Sequence, residues 1–371
     1  MDGTQQAVDL KSLAPENVRR IAAYVPGKPI GETARELGMD ERDILKMASN
    51  ENPLGASPRA LAAIQAALGV LHYYPDAHDL KQLLSRLLGL APASLVLGNG
   101  SNDVLELAAR AFLTRGDSAV YSQHAFMVYP LAVQAIGATG IEVPARVYGT
   151  DLDAMARAIR ADTKMVFVAN PNNPTGTFTP WAEIEAFISR VRRDVLVVLD
   201  EAYGEYLPAE LKSPTARWLE RHPNLVVCRT LSKAYGLAGL RVGFAFAHPD
   251  VADFMNRVRQ PFNVNHLAVV AACAALEDRD FIAKSREMNA SGLRQLEAGL
   301  GRLGLEFIPS RGNFITFRVG DAKRVFEALL RQGVIVRPIA GYGMPEHLRV
   351  TVGLPEQNER FLAALERALA R

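Results

Sequence analysis

The chain has 371 residues, of which 49% are hydrophobic and 22% are charged, with a formal net charge of +2. This balance is typical of a folded protein of about two to three domains, and it excludes a chain that is mainly disordered, collagen-like or coiled-coil. The small net charge gives no reason to expect nucleic acid or an anionic membrane surface as a partner.

The two cysteines, Cys228 and Cys273, are too few for a disulfide framework. They favour a reducing compartment, so we expect a cytoplasmic protein. The first residues contain neither a basic segment nor an apolar one, and no signal peptide is expected. The uncharged stretch at residues 118–141 is too polar for a membrane span, so no membrane partner is expected either.

Proline and glycine interrupt the first forty or so residues, which predicts an N-terminal arm. Ser57 then caps a helix with Pro58 at its first position, running to about Leu68. Apolar runs with little alternation predict buried strands at residues 94–97, 118–121, 165–169, 195–199 and 225–228. Helical patterns at residues 103–113 and 181–191 lie between them.

Strands that alternate with helices predict an α/β fold with a mostly parallel sheet between helices. From about residue 265 the pattern changes to a long helical region up to about residue 303, followed by short strands at residues 314–317 and 348–352. We therefore predict three parts, which are the arm with part of the small domain (1–56), a large domain (57–264) and a smaller α+β domain (265–371).

Ligands bind beyond the carboxyl ends of the strands in such sheets. Residues 98–102, Gly-Asn-Gly-Ser-Asn, open a helix whose N-terminus favours an anion, although an ordinary strand–helix turn explains them equally well. Residues 170–176, Asn-Pro-Asn-Asn-Pro-Thr-Gly, present amide groups in a proline-fixed loop, and a rigid turn is the plainer interpretation.

Asp200 follows a buried strand, where a carboxylate needs a partner such as a cationic ring nitrogen, or serves as a helix N-cap. Lys233 lies in a Gly-rich stretch with few charges, where partial burial lowers the pKa of an amine and makes it nucleophilic. Arg241 offers donors for a phosphate. A lysine or arginine considered alone is more often a solvated surface residue.

Four such segments after neighbouring strands supply a reactive amine, an acid for a ring nitrogen and a phosphate site. These are the groups that pyridoxal 5′-phosphate (PLP) requires. The seven histidines show no metal-ligand spacing, so no metal is expected.

Nearly the whole chain resembles the fold-type I PLP-dependent aminotransferases and, within them, the histidinol-phosphate aminotransferase family. The segments that carry this resemblance are residues 13–19, 49–55, 74–76, 98–103, 170–176, 200–203, 230–233, 239–243 and 348–353. The resemblance implies the fold-type I architecture, with a large domain built on a seven-stranded sheet.

The resemblance also implies roles at the cofactor. Lys233 forms the Schiff base with PLP and moves the substrate proton, while Asp200 keeps the ring nitrogen protonated. Tyr203 and Asn173 bind the ring 3′-oxygen, and Phe126 stacks on the ring, without the hydroxyl that some relatives have there. The expected phosphate ligands are Ser101, Asn102, Ser232, Arg241 and, from the other subunit of a homodimer, Tyr74. Thr230 is expected to bind the cofactor as well.

For the substrates, the resemblance implies that Arg349 binds the carboxylate of glutamate or the phosphate of histidinol phosphate. Arg337 assists, Tyr24 on the arm closes over the substrate, and Asn52 contributes to the same site. The implied reaction is ping-pong transamination between histidinol phosphate and 2-oxoglutarate in histidine biosynthesis.

Three other functions stay open at this point. They are a broad-specificity or aromatic aminotransferase, a decarboxylase acting on threonine phosphate, and a PLP-binding regulatory domain. The regulatory interpretation is the weakest, because no helix-turn-helix pattern precedes residue 50.

Overall fold

The computed structural model describes residues 9–23 and 27–370. Its strands are β1 Leu45–Lys46, β2 Leu95–Gly98, β3 Ser118–Ser122, β4 Thr139–Val143, β5 Thr163–Ala169, β6 Leu196–Asp200, β7 Leu225–Thr230, β8 Gly243–Ala247, β9 Phe307–Ile308, β10 Phe314–Arg318, β11 Val334–Ile335, β12 Arg337–Pro338 and β13 His347–Thr351.

The α-helices are α1 Glu16–Arg19, α2 Ile30–Leu37, α3 Pro58–Ala67, α4 His78–Leu88, α5 Ser101–Phe112, α6 Val128–Ile136, α7 Leu152–Ala158, α8 Trp181–Arg190, α9 Pro249–Arg257, α10 His266–Glu277, α11 Arg279–Arg302, α12 Ala322–Leu330 and α13 Pro355–Leu369. The capped start of α3 is confirmed, since the Ser57 hydroxyl accepts hydrogen bonds from the amides of Arg59 and Ala60.

The predicted α/β fold is confirmed by a seven-stranded sheet in the order β2-β8-β7-β6-β5-β3-β4. Its pairs are parallel except those of β8, which runs antiparallel to both neighbours. The strands β2, β7, β6 and β5 therefore end at the same edge. Two apolar cores, one on each face of this sheet, bury its strands against helices.

A second, four-stranded sheet in the order β12-β13-β10-β9 packs with α11, α12 and α13 around a separate core. Strand β1, from the N-terminal part of the chain, pairs in parallel with β11. This pairing joins the segment that precedes α3 to the C-terminal part of the molecule. It also carries residues 48–51 to the edge of the large sheet where the predicted ligand segments lie.

The long helical region predicted at residues 265–303 is two helices, because Asp278 ends one and caps the next. Its Oδ1 accepts from the amide of Phe281, and its Oδ2 accepts from the Ser57 hydroxyl at 2.5 Å. Helix α10 packs in the core of the large sheet. The boundaries at residues 56 and 264 stay predictions, and this packing favours a later change of core, at Asp278.

Candidate active site

The cavity that concerns the function has a volume of about 270 Å³ and opens where β2, β5, β6 and β7 end. It is lined by most of the residues that the sequence singled out. These are Ser101, Asn102, Phe126, Asn173, Asp200, Tyr203, Thr230, Ser232, Lys233, Arg241, Arg337 and Arg349. Segments far apart in the chain thus meet at the position expected for a ligand in a parallel sheet.

Lys233 reaches the cavity from the loop that follows β7, and its Nζ donates to the carbonyl oxygen of Ser49 at 3.0 Å. Burial, followed by the nearby charge of Arg349, lowers the pKa of this amine to about 8. The neutral fraction near neutral pH is therefore much larger than that of an ordinary lysine, and a neutral amine is the form that attacks a carbonyl carbon.

Asp200 is the last residue of β6 and is 5% exposed. Its Oδ2 accepts a hydrogen bond from the Tyr129 hydroxyl at 2.8 Å, and its Oδ1 accepts from the amide of Ala202 at 3.0 Å. Burial raises the pKa of this carboxyl to about 6, against the opposing effect of both hydrogen bonds. The hydrogen bond from Ala202 caps the turn that follows β6. Asp200 therefore caps this turn and also lines the cavity.

Tyr203 and Asn173 present polar atoms on the wall next to Asp200. The Tyr203 hydroxyl accepts from Asn50 Nδ2 at 2.8 Å, and burial raises its pKa to about 12, which keeps the hydroxyl protonated. The Asn173 Oδ1 accepts a hydrogen bond from Arg349 Nη1. Both side chains are less than a tenth exposed, so these contacts hold them in place.

An anion cradle forms at the start of helix α5, beside Arg241. Gly100 precedes the helix at a φ of +86°, and a Cβ there would lie 2.5 Å from Arg241 Nη2. Arg241 Nη1 donates to the Ser232 hydroxyl at 3.4 Å. Helix amides, a guanidinium and hydroxyl groups at one spot are the usual ligands of a phosphate.

Arg349 and Arg337 form a second positive wall. They lie opposite each other on the paired strands β13 and β12. Arg349 is 5% exposed, donates from Nη2 to the Ala48 carbonyl at 2.8 Å, and lies 5.2 Å from the centre of the Phe314 ring. A buried guanidinium held in this way suits a carboxylate or phosphate of a ligand.

Three predicted site residues are not among those that line the cavity. The Asn52 amide donates to the Ala234 carbonyl at 2.8 Å and to the Ser285 hydroxyl at 2.9 Å, which ties the loop of Lys233 to helix α11. Tyr74 is 80% exposed and stacks on Phe262 at 4.5 Å between ring centres. Tyr24 lies outside the described residues.

Sequence reasoning missed Tyr129, Asn50 and Ser49 as neighbours of the reactive groups. Asn50 and Ser49 belong to the segment 49–55, which carries the family resemblance. Only Asn52 of that segment was expected to contribute to the site. Tyr129 lies in the apolar sequence of α6, where a buried hydroxyl requires a hydrogen-bond partner, and that requirement was the available signal.

No helix in residues 9–23 and 27–370 is long and apolar enough to span a membrane. Among the same residues, no group of three or more histidine, cysteine or acidic side chains is arranged to hold a metal ion.

The functional groups that line the cavity match those that PLP requires. It offers an amine of lowered pKa, a buried acid and a phosphate cradle that a Cβ at residue 100 would fill. The amide of Asn173 and the hydroxyl of Tyr203, which also line the cavity, suit a phenolic oxygen. These donors match an aldehyde, a pyridine nitrogen, a phosphate and a ring hydroxyl, so the residues fit the cofactor.

Comparison with known proteins agrees with this fit. The family model described as "Aminotransferase class I and II" matches residues 42–365. A histidinol-phosphate aminotransferase of Nitrosospira multiformis is 58% identical over 98% of this chain and 93% of its own length. One of Thiobacillus denitrificans is 60% identical over 96% of this chain and 94% of its own length.

Among solved structures, a histidinol-phosphate aminotransferase of Sinorhizobium meliloti in complex with PLP superposes with a TM-score of 0.88. It is 28% identical and covers 97% of this chain and 98% of its own. An aspartate aminotransferase mutant of Thermus thermophilus shares the fold, with a TM-score of 0.82 at 23% identity over 96% of this chain and 99% of its own.

The fold and the cavity thus define a PLP-dependent enzyme of fold type I. The chain belongs to the class I and II aminotransferases and, within them, to the histidinol-phosphate aminotransferase family. The predictions of fold class, cofactor and aminotransferase activity are confirmed.

Proposed function

We propose that this chain catalyses the reversible transamination between L-histidinol phosphate and 2-oxoglutarate, giving imidazole acetol phosphate and glutamate. The enzyme acts in histidine biosynthesis, in the cytoplasm, as a homodimer. The observation that carries this proposal is that Lys233, Asp200, Arg349 and Arg337 line one cavity.

Bound PLP supplies an electron sink for the carbanion formed at the substrate α-carbon. Lys233 holds the cofactor covalently in the resting enzyme and then moves a proton between the α-carbon and C4′ of the cofactor. Its pKa of about 8 suits this work, because proton transfer is most effective when the pKa lies near the working pH. Asp200, ionised and buried, keeps the ring nitrogen protonated.

The remaining cofactor ligands orient the ring. Tyr203 and Asn173 donate hydrogen bonds to the 3′-oxygen, and Phe126 stacks on the ring face through apolar contact alone. The phosphate is held by Ser101, Asn102, Ser232 and Arg241, and Thr230 lines the cofactor site beside them. The amides at the start of α5 reinforce these contacts, since the end of a helix dipole favours negative charge.

Arg349 binds the carboxylate of glutamate in one half-reaction and the phosphate of histidinol phosphate in the other, assisted by Arg337. The carboxylate of glutamate and the phosphate of histidinol phosphate are both anionic, so the same pair of guanidinium groups serves both substrates. Tyr24 closes over the bound substrate, and Asn52 supports this region from behind the Lys233 loop.

The homodimer supplies Tyr74 to the phosphate of the other subunit. In support, Tyr74 belongs to a group of large apolar side chains that are at least half exposed. Four of them lie within residues 68–74, and the fifth stacks on Tyr74. They are Leu68, Leu71, Tyr73, Tyr74 and Phe262. Exposed apolar residues grouped in this way mark interaction surfaces.

The test uses purified, PLP-loaded protein. Adding glutamate alone should convert the cofactor to its amine form in one turnover, with release of 2-oxoglutarate, and imidazole acetol phosphate should then restore the absorbance of PLP. A higher kcat/KM for phenylpyruvate than for imidazole acetol phosphate would favour a broad-specificity aminotransferase. Release of carbon dioxide without any need for 2-oxoglutarate would indicate a decarboxylase, and an absence of turnover would favour a regulatory protein.

A further inference from the structure

Tyr129 is a fully buried tyrosine whose position is fixed by packing. Its ring stacks on that of Phe167 in β5, with centres 4.9 Å apart and an interplanar angle of 8°, and it meets Phe126 edge-to-face at 5.9 Å. The hydroxyl therefore points to one place. There it donates to Asp200 Oδ2 at 2.8 Å.

The two oxygens of Asp200 are approached from different elements. Oδ2 accepts from Tyr129 in α6, and Oδ1 accepts from the amide of Ala202 in the turn after β6. One donor leaves a carboxylate free to rotate about its last bond, whereas two donors from separate elements define its plane. Each oxygen retains lone-pair capacity for a further donor from the cavity.

We propose that Tyr129 is the positioning residue of Asp200, which aims the carboxylate at the cavity and keeps it ionised for a cationic ring nitrogen. This inference rests on the proposed function only for the contact between Asp200 and that nitrogen. It concerns cofactor binding and is independent of which amino donor or acceptor the enzyme prefers.

The charges around Asp200 agree with this role. Besides Tyr129, the titratable groups that influence it or are influenced by it are Glu201, Tyr203, Cys228 and Lys233. Burial raises the pKa of Asp200 to about 6, and the Tyr129 hydrogen bond is the largest effect in the opposite direction. Burial raises the pKa of the Tyr129 hydroxyl well above its ordinary value, so it remains a donor throughout the working range.

The phenylalanine substitution Tyr129→Phe keeps the ring and removes the hydroxyl. The measurement is the dissociation constant of PLP for the cofactor-free protein, followed by fluorescence between pH 5 and 9. We expect about tenfold weaker binding near neutral pH, the size of a hydrogen bond to a charged group. The pH at which binding is lost on acidification should rise by about one unit, because Asp200 then protonates more easily.

The matched control is Tyr121→Phe. Tyr121 is also a buried tyrosine of the large sheet, 8% exposed on β3, and it is not a cavity residue. It should bind PLP as the wild type does, with the same dependence on pH. A double-mutant cycle tests the route of the effect, because Tyr129→Phe should weaken PLP binding little further in an Asp200→Asn background.

Three results would overturn the proposal. They are unchanged PLP affinity and pH dependence in a folded Tyr129→Phe protein, an equal loss in the Tyr121→Phe control, and full additivity with Asp200→Asn. If Tyr129→Phe does not fold, site-specific 3-fluorotyrosine at residue 129 provides the test. This phenol is a stronger donor, so the acid midpoint should move down, and an unchanged midpoint contradicts the proposal.

Discussion

Burial acts on the two central ionisable groups in opposite directions. It lowers the pKa of Lys233 to about 8 and raises that of Asp200 to about 6. Between pH 6 and 8, Asp200 is therefore mostly ionised, and Lys233 is mostly protonated but close enough to its pKa to give up its proton. A pair of groups whose environments set their pKa values in this way is typical of a site that moves protons near neutral pH.

The lowered pKa of Lys233 predicts how PLP attachment depends on pH. The neutral amine is the reactive form, so the second-order rate of attachment to cofactor-free protein should rise with pH and level off above about 8. Stopped-flow absorbance measures this rate, and the buffer's own reaction with PLP is subtracted. A midpoint near 10.5, the value of an unperturbed lysine, would show that Lys233 is not desolvated as the structure indicates.

Arg349→Gln should raise the KM for glutamate by about 10- to 100-fold, because it removes a charged donor from the carboxylate. The cofactor absorbance should remain, since the described hydrogen bonds of Arg349 are with Asn173 and Ala48, and none of them is with Lys233 or Asp200. Steady-state kinetics at saturating oxo acid measure the effect.

The control for that variant is Arg318→Gln. Arg318 lies on the neighbouring strand β10 with about half of its side chain exposed, in a surface ion pair with Glu346. Its loss should leave KM unchanged. Equal effects of the two substitutions would contradict a specific role for Arg349.

Individual residues at the strand ends were predictable because the chemistry of PLP demands particular groups there. Lys233, Asp200 and Arg241 could be found in this way. Tyr129 and Asn50 could not, because each acts through a partner that is distant in the chain, at positions 200 and 203. Only folding brings these pairs together.

At the scale of elements, the close approach of helix α5 to strand β8 places the anion cradle. Gly243, the first residue of β8, pairs with Gly98 on one side and Thr230 on the other. A Cβ at Gly243 would lie 2.5 Å from the Ser101 amide nitrogen and 2.9 Å from the Arg229 carbonyl oxygen. Both neighbours are backbone atoms, so neither can move aside without displacing its element.

Gly243→Ala should therefore weaken PLP binding and lower the free energy of unfolding by about 1–3 kcal/mol, the usual cost of overpacking. Titration with PLP and urea denaturation measure the two effects. Gly239→Ala is the control, since a Cβ there meets no atom within 4 Å. If Gly243→Ala binds PLP as tightly as Gly239→Ala does, the position of α5 does not determine the cradle.

Strands were predictable where β-branched residues run together, as in β5, β6 and β7. Strand β8, Gly-Phe-Ala-Phe-Ala, was missed because glycine and alanine have weak strand preference. Its conformation comes from pairing with β2 and β7 in a fully buried position. The break at Asp278 was missed for a similar reason, because its partner Ser57 lies far away in the chain.

At the scale of the whole molecule, the proposed homodimer predicts that active sites are shared between subunits. The purified protein should sediment as a dimer, and Tyr74→Ala should bind PLP more weakly. Mixing Tyr74→Ala with inactive Lys233→Ala subunits should restore activity, because a mixed dimer contains one site with both residues intact.

The control is each variant incubated alone under the same conditions. A fully active monomer, or mixed dimers without restored activity, would contradict the shared site. Sequence alone could predict this arrangement only by resemblance, since a contact of Tyr74 with a second subunit would leave no pattern within one chain.

The most direct test of the account concerns the bond between Lys233 and the cofactor. The PLP-loaded protein is reduced with borohydride, digested and analysed by mass spectrometry. We expect a pyridoxyl adduct on the peptide that contains Lys233, and no measurable transamination by Lys233→Ala. Colourless protein without an adduct, an adduct on another lysine, or near-normal turnover by Lys233→Ala would contradict the account.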